Sequence, residues 1–242
     1  MGMDRLVFRD AVALRMGLDP PDPLPTHCPS CGEKFTLAHA LECKRGGWVT
    51  RRHNEVIRAW MQYFKKGGAV SVHAEPLLRP LPKGTIPRPG TTKADDARAD
   101  IVVRGADGRD HFYDVAVIDS YAHSYMSKSA LKPLTDYEHK KIAMYEDRVS
   151  PMGSFTPLIS SVYGTLAPAA ATTANQVARG VDPDREERDA TLDLHQAVLQ
   201  AAVIKATGLC LRGRGWSVLP RSGASGSLED AAALVAGARE KE

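Results

Sequence analysis

The sequence lacks any apolar run long enough to cross a lipid bilayer, and its first residues, MGMDRLVFRD, are charged from the start. A membrane helix needs about 20 mostly apolar residues, and a secretory signal needs an apolar core behind its basic start. Neither pattern is present. We therefore expect an intracellular protein, in the nucleus or elsewhere in the cell, without a membrane partner.

Cysteine is scarce, and neither sign of charge dominates. Of the four cysteines, three lie between positions 28 and 43 and the fourth is Cys210. This layout favours metal binding in a reducing compartment over a disulfide framework. The net charge is only +3, so the overall charge does not by itself indicate a nucleic-acid partner.

Basic residues are concentrated between positions 44 and 66, where Glu55 is the only acid. A phosphate backbone would favour such a segment, although charge alone leaves a solvated helix face as the alternative. The residues that we predict to contact nucleic acid are Lys44, Arg45, Arg51, Arg52, His53 and Arg58.

Segments with helical spacing alternate with short strand-like runs along the chain. This order favours an α/β fold, with α+β as the alternative, built on a central mixed sheet flanked by helices. The predicted elements are helix 4–17, helix 52–66, strand 70–72, loop 79–98, strand 99–103, strand 111–118, helix 135–149, strand 155–162, helix 166–179 and helix 185–206.

Composition suggests four segments. Residues 1–47 hold a helix, a proline-rich connector and the cysteine cluster, and residues 48–180 hold the alternating helices and strands. We interpret residues 181–220 as a helical extension. The Ser- and Gly-rich residues 221–242 are typical of a flexible tail.

The spacing Cys28-x2-Cys31-x7-His39-x3-Cys43 predicts a single four-ligand metal site. Two cysteines at the ends of a short turn can share a metal, and a His and Cys four residues apart lie on one helical face. Zinc suits this sulfur-rich set, and a closed site of four protein ligands is structural rather than catalytic. Two free cysteines and a surface histidine brought together by chance are the alternative.

Two aspartates lie on neighbouring predicted strands joined by an Asp-Gly turn. Asp100 begins one strand, and Asp114 interrupts the buried run of the next. Adjacent strands can bring both carboxylates to one Mg²⁺ or Mn²⁺ ion, which would activate a water for phosphodiester cleavage. Glu55 is the candidate third acid, and Lys140 or Lys141 could stabilise the phosphate. Each aspartate alone could instead cap a strand end or a turn.

The order of these motifs resembles the C-terminal part of site-specific non-LTR retrotransposon polyproteins. Those proteins carry a zinc knuckle followed by a restriction-like endonuclease of the PD-(D/E)XK class. The resemblance covers about residues 5–180. Its motifs here are CPSCG, HALECKRGG, RRHNEV, AEP, RAD-IVV, YDVAV, HKKIAMY and FTPLISSVYG.

The resemblance implies an Mg²⁺-dependent endodeoxyribonuclease that nicks double-stranded DNA. Arg52-His53-Asn54 matches the RHN element that opens the nuclease, and Glu55 follows it. Asp100 and Asp114 match the two metal-binding acids, and Lys141 matches a lysine located on the helix after the strands. The implied zinc ligands are Cys28, Cys31, His39 and Cys43.

Two departures from the family pattern bear on activity. Ala99 replaces the usual proline before Asp100, and Ala116 stands where the ordinary strand pattern has a lysine. Catalysis would therefore need Lys140 or Lys141 to reach back into the site. No reverse transcriptase accompanies these motifs, so we expect a fragment, a decayed copy or a domesticated descendant of such an element.

An alternative hypothesis is a catalytically inactive module that binds nucleic acid through the zinc knuckle and the basic helix. Double-stranded DNA is the expected partner, and RNA remains open. A homodimer, which could cut both strands, also remains open.

Overall fold

The computed structural model describes residues 5–76, 78, 98–125, 127–181 and 185–212, apart from the side chains of His123 and residues 181–195. These parts of the chain form a mixed α/β fold, as predicted. The elements are α1 (Arg5–Arg15), α2 (Leu37–Glu42), α3 (Trp48–Lys66), β1 (Ser71–Ala74), β2 (Ile101–Arg104), β3 (Asp110–Ile118), α4 (Lys132–Val149), β4 (Ser154–Ser161), α5 (Pro168–Val181) and α6 (Arg185–Arg212), with short 3₁₀ turns at Arg45–Gly47 and His123–Tyr125.

The strands form one mixed sheet in the order β1-β2-β3-β4. Strands β1, β2 and β3 are antiparallel neighbours, whereas β3 and β4 are parallel. A parallel pair needs a long crossover connection, and α4 provides it between β3 and β4. The predicted mixed central sheet is thereby confirmed.

Successive residues of a strand point to opposite faces of the sheet, so each strand can contribute apolar residues to both faces. Helices cover both faces in this protein. On one face α3, α5 and α6 bury the main core, in which Trp60 packs with Ile101, Val115 and Leu158. On the other face α4 packs its own apolar residues against the sheet. Those residues include Leu134 beside Ile159, and Tyr145 and Val149 beside Phe112.

Several predicted boundaries shift by a few residues. Helix α3 begins at Trp48 rather than at residue 52, directly after Gly46 and Gly47, whose φ angles of 76° and 71° turn the chain. Such left-handed conformations favour glycine. Helix α6 continues to Arg212 instead of ending at residue 206. The predicted loop 79–98, apart from Arg98, and the tail 221–242 lie outside the described residues.

Helix α6 connects the described parts of the predicted segments. It packs on α3 and α5 beside the sheet, and on α1 and α2 at the N-terminal segment. Leu211 near its end shares a small apolar core with Leu14 and Phe35. Within the same described parts of the chain, no helix has the length and apolarity that a bilayer crossing requires.

A buried ion pair closes the contact between α1 and α6. The Arg212 guanidinium donates to both carboxylate oxygens of Asp10, at 2.5 and 2.8 Å, and the two side chains are 7% and 0% exposed. Arg212 also donates to the carbonyls of Asp22 and Pro23. Both ends of the described chain are therefore held together by one bidentate interaction.

Replacing Asp10 with alanine should lower the free energy of unfolding by about 3–5 kcal/mol, because it leaves Arg212 buried without its carboxylate. The matched control is Arg9→Ala on the same helix, which removes an exposed pair with Asp22 at 3.3 Å. That change should cost less than about 1 kcal/mol. Denaturant titrations followed by circular dichroism would measure both values. Equal costs for the two variants would contradict the assignment.

Candidate functional site

Four ligand atoms from Cys28, Cys31, His39 and Cys43 lie within 4.8 Å of one another. Cys28 Sγ is 4.0 Å from Cys43 Sγ, Cys31 Sγ is 3.8 Å from Cys43 Sγ, and His39 Nε2 is 3.2 Å from Cys31 Sγ. Tetrahedral zinc with Zn–S bonds of about 2.3 Å would hold its sulfurs about 3.8 Å apart. The cluster can therefore hold a metal ion, and its chemistry is consistent with structural zinc.

Local structure explains why these four residues meet. Gly32, at a φ of 81°, closes the turn between the first two cysteines and donates its N–H to the Cys28 carbonyl at 2.8 Å. The Thr36 hydroxyl caps α2 by accepting from the His39 N–H. The Cys43 N–H donates to the His39 carbonyl at 2.8 Å, so these two ligands lie one helical turn apart.

The two aspartates lie side by side where the β2–β3 ladder ends. Ile101 pairs with Tyr113, so Asp100 and Asp114 are the next residues outward along the two strands. The Asp100 N–H donates to the Tyr113 carbonyl at 3.0 Å. Asp100 Oδ2 accepts from the Val115 N–H at 2.6 Å. Val115 belongs to the part of β3 that extends beyond its pairing with β2.

Lys141 is the lysine that reaches this pair. Its Nζ lies 2.8 Å from Asp114 Oδ2, and the two side chains are 17% and 7% exposed. The contact is a largely buried ion pair. The ammonium lies 5.8 Å from the ring centre of Tyr137 and 5.4 Å from that of Tyr145. Lys140 is exposed, and its Nζ lies 5.7 Å from the ring centre of Tyr137.

The charges of this site are unevenly balanced. Burial raises the pKa of the Asp114 carboxyl; the Lys141 charge opposes this shift and the Asp100 charge adds to it. Burial lowers the pKa of Lys141, but the charge of Asp114 and the hydrogen bond to it, with contributions from Tyr145 and Tyr137, together outweigh burial and raise the pKa above its usual value. One ammonium balances only one of the two carboxylates. A divalent cation would supply the missing positive charge.

Glu55, the predicted third acid, is not brought to the two aspartates. It pairs instead with Arg58 at 2.6 Å on an exposed face of α3. Among the described residues, the cysteine–histidine cluster is the one group of three or more potential metal ligands within 4.8 Å. The residue that α3 does bring to the pair is His53, whose Nε2 lies 3.3 Å from Asp100 Oδ1.

Most of the residues predicted to bind nucleic acid are on the surface, but two are not placed for that role. Arg52 is only 5% exposed and belongs to the buried face of α3, so it cannot reach a phosphate from this position. His53 points to Asp100. Arg51 is exposed and stacks over the Trp48 ring at 5.3 Å. The other exposed residues are Lys44, Arg45 and Arg58.

Sequence reasoning missed His53 as a neighbour of the acidic pair. The available signal was its place on α3, two residues before the expected third acid. Comparison with known proteins adds no further assignment: no family model matches the chain, and no curated protein matches it. The functional interpretation therefore depends on the residues and their geometry.

The purified protein should contain one tightly bound zinc ion per chain, measured by elemental analysis. Cys31→Ser should lose it and lower the melting temperature, because the site would retain only three of its four ligands. The matched control is Cys210→Ala, which changes a buried cysteine outside the cluster and should keep the metal. Equal metal content in both variants would contradict the proposed ligand set.

Proposed function

We propose that this protein is a metal-dependent endonuclease that nicks double-stranded DNA. Its α/β core would be restriction-like and its cysteine–histidine cluster a structural zinc knuckle, as in the retrotransposon polyproteins that the sequence resembles. The observation that carries the proposal is the convergence of Asp100, Asp114 and Lys141 at the end of the β2–β3 ladder. Two carboxylates can hold a divalent ion for phosphodiester cleavage, and an adjacent ammonium can stabilise the charge that builds on the phosphate.

Asp100 and Asp114 would hold Mg²⁺ or Mn²⁺ through carboxylate oxygens, the ligand type these ions prefer. The bound ion supplies a more acidic water and neutralises negative charge on the phosphate. Lys141, already beside Asp114, would stabilise the additional negative charge that builds on the scissile phosphate. Ala116 has no group for this task, so the amine comes from α4 rather than from the strand.

The DNA backbone would follow the start of α3. Lys44, Arg45 and Arg51 are exposed there, and the same helix places His53 beside Asp100. Phosphates bound by these cations would lead the strand toward the acidic pair. Such interactions are electrostatic and independent of base sequence.

The protein should convert supercoiled plasmid to the nicked form when Mg²⁺ or Mn²⁺ is added. Asp114→Ala and Lys141→Ala should each slow nicking by about 100-fold or more, because each removes a group that acts on the transition state. The matched control is Lys140→Ala, which changes the neighbouring exposed lysine and should leave the rate within about threefold. Agarose-gel time courses would measure the rates.

A wild-type protein that does not nick DNA with any divalent metal would contradict the nuclease proposal. Similar losses of rate in the Lys140 and Lys141 variants would contradict the assignment of Lys141.

The alternative proposal is a nucleic-acid-binding module without catalysis. The observation that favours it is the ion pair between Lys141 and Asp114. The ammonium already neutralises this carboxylate, which therefore has less need of a metal ion. Binding through the basic start of α3 would then be the whole activity, with DNA or RNA as the partner. The nicking assay separates the two proposals.

DNA binding should weaken when Arg45 and Arg51 are both replaced by alanine. The slope of log affinity against log salt should become shallower by about 0.9 for each phosphate that the protein no longer neutralises. Fluorescence anisotropy at several salt concentrations would measure this slope. The matched control is Arg104→Ala, whose guanidinium is paired with Asp110 at the other end of the β2–β3 ladder. An equal weakening in the control would show that Arg45 and Arg51 have no special role.

A further inference from the structure

The side chain of Asp100 is held at both of its carboxylate oxygens. The Val115 N–H binds Oδ2 at 2.6 Å, and the imidazole of His53 lies 3.3 Å from Oδ1. The histidine comes from α3 and the amide from β3. The Asp100 carboxylate is thus fixed between a helix and a strand that belong to different parts of the fold.

The backbone of Asp100 is already fixed, because its N–H donates to the Tyr113 carbonyl and its carbonyl accepts from the Glu75 N–H. The contacts with Val115 and His53 fix the side chain as well. Strand β2 begins at the next residue, Ile101, so the side chain of Asp100 projects where the ladder stops. The side chains of His53 and Asp100 are 34% and 21% exposed, so their contact is partly shielded from water. An unsupported aspartate at such an end would sample several rotamers.

We propose that His53 is a positioning residue that orients Asp100 for the divalent metal. This inference rests on the proposed nuclease function and deepens it. An ionised carboxylate cannot donate a hydrogen bond, so the imidazole would carry its proton on Nε2 and donate a hydrogen bond to Oδ1. The carboxylate would keep other lone pairs for the cation. Groups that hold metal ligands in this way commonly account for 10- to 100-fold in affinity.

The geometry also separates this role from direct contact with DNA. The Nε2 atom lies 3.3 Å from a protein carboxylate. The exposed cations that would bind phosphates are instead Lys44, Arg45 and Arg51, near the start of α3. Removing the imidazole should therefore change the affinity for metal and leave the metal-free affinity for DNA intact.

The test measures Mn²⁺ binding to the full zinc-loaded chain, by electron paramagnetic resonance or calorimetry, without DNA. His53→Ala should weaken Mn²⁺ binding about 10- to 100-fold. His53→Gln, whose Nε2 amide can donate from a similar position, should recover it to within about threefold of wild type. His53→Asn is too short to reach and should behave like alanine. DNA affinity in metal-free buffer should be equal in all four proteins.

Each other outcome overturns the inference. If His53→Ala binds Mn²⁺ as tightly as the wild type, His53 does not position Asp100. If the alanine variant does not fold, His53→Asn serves for the same comparison. If glutamine fails to rescue, donation from Nε2 is not the mechanism. If metal-free DNA affinity falls, His53 contacts DNA. If the wild type binds no more Mn²⁺ than Asp114→Ala, the proposed nuclease function fails, and this inference fails with it.

Discussion

The ion pair between Lys141 of α4 and Asp114 of β3 is largely removed from water, with side chains 17% and 7% exposed. Either charge buried alone would be costly, so each group requires the other. The pair attaches the crossover helix to the sheet directly beside Asp100, whose carboxylate is bound instead by the Val115 N–H and by His53. Under the proposed function, a divalent cation would add positive charge beside these two carboxylates.

The cysteine–histidine cluster is connected to this site by α3, which begins soon after Cys43 and carries His53 to Asp100. Cys43 is followed by Lys44 and Arg45, and α3 begins three residues later. A metal at the cluster would fix the basic segment at the start of the helix that carries His53. The cluster, the exposed cations Lys44 and Arg45, and the residue that contacts Asp100 therefore follow one another within a short part of the sequence.

The metal-ligand cluster and the hairpin that carries the two aspartates could be predicted from the sequence, because the patterns that indicate them lie within short segments. The cysteine spacing, the Asp-Gly turn and an aspartate within an apolar strand were sufficient for the cluster and the hairpin. The choice between Lys140 and Lys141, and between Glu55 and His53, depends on how each helix is rotated against the sheet, which is set by tertiary packing. The burial of Arg52 was missed for the same reason, since arginine is usually exposed.

The most direct test is a crystal structure of the zinc-loaded protein soaked in Mn²⁺, with anomalous scattering recorded to locate manganese. We expect a manganese peak bound by the carboxylates of Asp100 and Asp114, with the Lys141 ammonium adjacent. A peak elsewhere, or an unchanged Lys141–Asp114 ion pair with no manganese beside it, would contradict a metal site at the two aspartates.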